Sequence, residues 1–81
     1  SPLEFAIDSF GNGILTRRER EVATLILKGM SSKGIARTLN ISVDTVKVHR
    51  KNMHARLRTS TQSDLFLAFL SHLDGLITRA A

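Results

Sequence analysis

Lys47, Arg50, Lys51, Arg56 and Arg58 crowd into the stretch Ser42–Arg58, SVDTVKVHRKNMHARLR, opposed there only by Asp44. Cations at this density suit the holding of a partner whose negative charge repeats along its length, as a phosphate backbone does. Other chemistries find less support. The only histidines are His49, His54 and His72. His49 and His54 would stand about 140° apart on a helix, so they do not converge as an i, i+4 ligand pair would. The chain has no cysteine, which excludes a thiolate zinc site and a disulfide scaffold. Gly11-x-Gly13 lacks the third glycine of a phosphate loop, because Thr16 stands at that position and no clear strand precedes it. Serine, aspartate and histidine occur, but in no nucleophile motif. No catalytic residue, metal or cofactor is expected.

The basic residues need an element to aim them, and the same stretch supplies it. At about 100° per residue, Val46, Met53 and Leu57 share one side of a helix, with His49 at the edge. Lys47, Lys51, His54 and Arg58 fall on roughly the opposite side. Ser42 is a good N-cap and Asp44 suits the positive end of the dipole. Upstream, Ser31 caps a shorter helix reaching Leu39, with Ile35, Ala36 and Leu39 inward and a destabilising Gly34 inside it. Asn40-Ile41-Ser42 makes a tight turn, since asparagine tolerates the left-handed region. Two helices joined in this way, the second basic, form a helix-turn-helix pattern, whose second helix enters the major groove of DNA.

The remaining elements are support. Thr16-x-x-Glu19 has capping-box form and opens a helix that Gly29 stops, with Val22, Leu25 and Ile26 inward. Arg17, Arg18, Glu19, Arg20 and Glu21 read as its solvated, ion-paired face. Thr61-x-x-Asp64 opens a last helix, from Gln62 to about Leu76. Leu65, Phe69, Leu73 and Leu76 occupy one side of it and Phe66, Leu70 and Ile77 widen that side, more apolar surface than one core requires. Residues 1–14 show no helical period; with Pro2 and the Gly11-Asn12-Gly13 cluster they read as a linker from a missing upstream domain. The abrupt Ser1-Pro2 start, without Met, suggests a piece of a longer protein. Eighty-one residues with 42% apolar content suit one small globular domain, and a net charge of +5 agrees with an anionic partner. No apolar run approaches the ~18 residues of a membrane span.

Three motifs occur in order. They are Leu15-Thr16-x-Arg18-Glu19-x-Glu21-Val22, Gly29-Met30-Ser31-x-Lys33-x-Ile35-Ala36, and Ile41-Ser42-x-x-Thr45-Val46-Lys47-x-His49. Together they resemble the LuxR-type, or GerE-type, DNA-binding domain of bacterial transcription regulators over about Leu15 to Phe69. The resemblance implies an all-α, four-helix bundle-like domain containing the helix-turn-helix, occupying residues 15–81. It implies sequence-specific binding of double-stranded DNA, with base contacts from Lys47, Val48 and Lys51. It implies backbone contacts from Ser32, Lys33, Thr45, His49 and Arg50. It also implies a homodimer through the last helix, expected at Phe66, Phe69, Leu70 and Leu73, a cytoplasmic location, and RNA polymerase as a further candidate partner. Departures from the family pattern occur at Gly34, which bears on the local support of the second helix, and at Arg58-Thr59 and Gln62, which bear on the last corner and the dimer. Two other roles fit the pattern less well: a sigma-factor-like region contacting promoter and polymerase, and a protein-interaction module that has lost DNA binding.

Overall fold

The structure is a computed structural model that describes residues 1–80. Five helices follow one another: α1 Pro2–Ser9, α2 Arg17–Leu27, α3 Ser32–Leu39, α4 Val43–Leu57 and α5 Gln62–Ala80. The all-α expectation holds, with one helix more than the four expected. The additional helix lies where a linker was expected. Ser1 caps it, accepting a hydrogen bond from the Glu4 amide, and Pro2 occupies the first turn. Proline is favoured there because its missing N–H would be unpaired anyway and its φ already suits a helix. The feature read as a linker signal is therefore a helix start. A two-turn helix is also too short to display a period. It is held by packing: Ala6 and Phe10 are buried, and the Phe10 ring meets Phe69 edge-on at 5.7 Å.

The other boundaries follow their capping residues. Thr16 and Glu19 form the reciprocal capping box of α2, at 3.1 and 3.2 Å. Gly29 follows α2 with φ +89°. Ser31 caps α3 through the Gly34 amide, and Asn40 ends it in the left-handed region at φ 56°. Ser42 caps α4 through the Thr45 amide. Arg58 ends α4 at φ 57°, a conformation glycine or asparagine would adopt more readily. The next corner is closed by side chains: His54 Nδ1 and Thr59 Oγ1 share a hydrogen bond of 2.6 Å, and Asp64 accepts from the Ser60 and Thr61 amides. Before α2, Gly11 turns at φ +79°, and a Cβ there would come within 2.6 Å of Leu15. This glycine makes room for a core leucine.

One core joins all five helices. Val22, Ile26, Ile35, Val46, Met53 and Leu65 are its largest fully buried side chains. α4 lies on α2 and α3, while α1 packs on α5. α5 extends beyond the expected Leu76 to Ala80, which contributes to a long axis of 42 Å against 25 and 21 Å for the others.

Candidate nucleic-acid interface

Only Val46 and Met53 of α4 are fully buried, with Leu57 half-buried. These positions keep the opposite side of the helix outward. Lys47, Lys51 and Val48 are exposed there, Val48 by 56%. In this arrangement a valine can contact a thymine methyl and an ammonium group can donate to guanine O6 and N7. Thr45 is exposed in the first turn of α4, and its hydroxyl shares a 2.8 Å hydrogen bond with Ser42.

The side chains expected at the DNA backbone fall into two groups. Arg50 reaches across to α3, where its Nη1 donates to Ser32 Oγ at 2.9 Å. That contact brings a guanidinium to the N-terminus of α3, whose unpaired amides already favour phosphate. Lys33 stands exposed in the same first turn. His49 is half-buried at the border of the packed side.

The sequence reading missed the pair that locks α4 to α2. Glu19, expected on a solvated face, is 3% exposed, and its Oε1 meets Arg56 Nε at 2.9 Å. Burial raises the Glu19 carboxyl, but the Thr16 amide and Arg56 outweigh it and hold the group below its ordinary 4.5. The capping motif was legible; the second partner, far along the chain, was not. Its neighbours behave as expected, with Arg17 and Arg18 pairing Glu21 on the surface. Arg56 is thus committed to structure, while Lys47 and Lys51 stand exposed and form no ion pair among the described residues. His54 also turns inward, and burial, then the charge of Arg50, lowers its pKa against the opposing pull of Asp64.

The expected dimer residues divide. Phe66 and Leu70 are exposed by 38% and 54%, and Leu73 is half-buried. Phe69 is corrected to a core residue: it is 6% exposed because α1, expected to be linker, covers it with Phe10. His72 joins the same cluster through a 2.9 Å hydrogen bond to Ser9.

A capped turn, a short supporting helix and a second helix presenting cations outward define a helix-turn-helix domain of the DNA-binding class. The profile described as bacterial regulatory proteins, luxR family, matches residues 13–69. The chain belongs to that family. It is similar to a protein of Aeromonas salmonicida described as an HTH-type transcriptional regulator in the exeN 3′ region, 47% identical over 73 residues, covering 90% of this chain and 37% of that one. It is also similar to the transcriptional regulatory protein MctR of Rhizobium johnstonii, 39% identical over 69 residues, 85% of this chain and 31% of that one. The tetrathionate response regulatory protein TtrR of Salmonella typhimurium is 38% identical over 55 residues, 68% of this chain and 27% of that one. The chain therefore spans roughly a third of the length of these relatives. No solved structure matches.

Proposed function

We propose that this domain binds double-stranded DNA sequence-specifically, with α4 in the major groove and two copies on a two-fold related site. The observation that carries the reading is the outward ridge of Lys47, Val48 and Lys51, backed by the buried Val46 and Met53. Lys47, Val48 and Lys51 read base edges. Ser32, Lys33, Thr45, His49 and Arg50 hold the backbone, the Arg50–Ser32 contact preparing a phosphate position before DNA arrives. The two copies pair through α5, at Phe66, Leu70 and Leu73, with Phe69 left to the core. The chain then serves as the reading part of a longer transcription regulator, and binding to a bacterial chromosome places it in the cytoplasm.

Selection of bound sites from random DNA tests this. Two related half-sites about 10 base pairs apart are expected. Failure to enrich any sequence, with no salt-sensitive gel shift, would refute it. Lys33→Ala should weaken binding to all sequences alike and reduce the slope of log affinity against log salt by about one. An unchanged slope would remove Lys33 from the phosphate contacts.

A further inference from the structure

Ser1, Pro2, Phe5, Leu73, Leu76 and Ile77 line an apolar groove of about 560 Å3 between α1 and the C-terminal half of α5. Every one of these residues lies outside residues 13–69, the stretch the luxR-family profile covers. The groove continues into an apolar seam: Phe66, Leu70, Leu73 and Ile77 follow one another at steps of four, three and four, the spacing of a helix that packs along a second helix. Leu73 and Ile77 belong to both, and Leu67 flanks the seam. Phe5, Phe66, Leu67, Leu70 and Ile77 are between 38% and 65% exposed. Together they leave an apolar patch on the order of a few hundred Å2, part of the ~800 Å2 a stable interface takes from each partner.

We infer that α1 is part of the pairing surface: two copies of α5 lie antiparallel, and Phe66 of each copy enters the α1–α5 groove of the other. The inference rests on the α5 pairing proposed above and adds its direction and the role of α1. Phe66 and Ile77 stand about 16 Å apart along the helix. Antiparallel pairing sets Leu70 against Leu73 of the second copy, and Phe66 against its Ile77, beside Phe5. A large half-exposed ring then meets an apolar groove at both ends of the pair. Parallel pairing would set groove beside groove and leave both unfilled.

Sedimentation equilibrium of the 81-residue chain tests this, with circular dichroism to confirm that each variant is folded. Wild type should dimerise. Phe5→Glu and Ile77→Glu should each weaken dimerisation at least tenfold, because a carboxylate would be buried in an apolar groove. Leu3→Glu, also on α1 but outside the groove, should leave it unchanged. If Leu70→Glu abolishes dimerisation while Phe5→Glu has no effect, α5 pairing stands and the role of α1 is overturned. A wild-type chain that stays monomeric at millimolar concentration overturns both. Because the chain has no cysteine, single-cysteine variants report direction: an oxidised mixture of Phe66→Cys and Ile77→Cys should crosslink as mixed dimers. Crosslinking of Phe66→Cys to itself would show parallel pairing and overturn the inference.

Discussion

Replacing Lys47 and Lys51 together by alanine should remove most of the domain's preference for its selected site while leaving its folding intact. Both side chains are exposed on α4, and neither contributes to the core beneath. A well-placed contact from lysine to a guanine edge discriminates against the wrong base by ~1–3 kcal/mol. Losing two should reduce the ratio of specific to random binding by roughly a hundredfold or more. Random DNA should be bound only somewhat more weakly, since Lys33, Arg50 and the amides at the start of α3 remain. Competition binding at fixed salt measures the ratio directly. Equal losses on specific and random DNA would show that these lysines touch only phosphate.

Glu19→Ala should destabilise the fold more than a change at any other charged position of α2. Two interactions end together. The capping box of α2 loses its return bond to the Thr16 amide, and Arg56 loses its carboxylate. A cap contributes about 1 kcal/mol. A hydrogen bond to a charged group contributes about 1.5–3 kcal/mol, and the lower limit applies because Arg56 is half exposed. The expected loss is about 2–3 kcal/mol, from a total of roughly 4–12 kcal/mol for a domain of this length. Tm should fall by about 10–20 °C. Glu19→Gln can keep the cap and should lose about half as much. Thermal melts of the three proteins would decide this; a Tm within about 2–3 °C (roughly 0.5 kcal/mol) of wild type for Glu19→Ala would remove the pair from the stabilising interactions.

Acid should act on the same contacts. His54, Glu19 and Asp64 are all held below their ordinary values, His54 by burial and Asp64 by the Ser60 and Thr61 amides. The unfolded chain therefore binds protons more readily at each, and stability falls as pH falls. The first decline should begin near pH 6.5, as His54 protonates in the unfolded chain. The second should begin near pH 4.5, with Glu19, and Asp64 follows as pH drops further. Glu19→Gln should flatten the lower decline and leave the upper one.

Much of the reading helix was legible without coordinates. Ser42 and Ser31 cap as their types require, Asn40 turns left-handed, and Val46 and Met53 are buried at the positions their spacing marks. These are local properties: a cap needs an amide three residues away, and a helical face repeats every turn. The outward Lys47 and Lys51 follow from the same geometry. Phe69, Glu19 and α1 were misplaced for the opposite reason. An apolar residue on a wide face can meet the core or a partner. Phe69 belongs to the core, where Phe10, 59 residues earlier, lies on it at 5.7 Å. A charged residue in a run of charges is solvated unless a distant cation covers it, as Arg56 does for Glu19. Two turns of helix at Pro2–Ser9 are too short to be stable alone and exist because α5 receives their apolar side. The amino-acid sequence by itself determined which helices form in the reading unit and that Lys47 and Lys51 point outward, because those depend on neighbours within a turn or two. Only the tertiary structure decided which of the remaining apolar and charged groups are buried, because burial depends on residues that chain order keeps far apart.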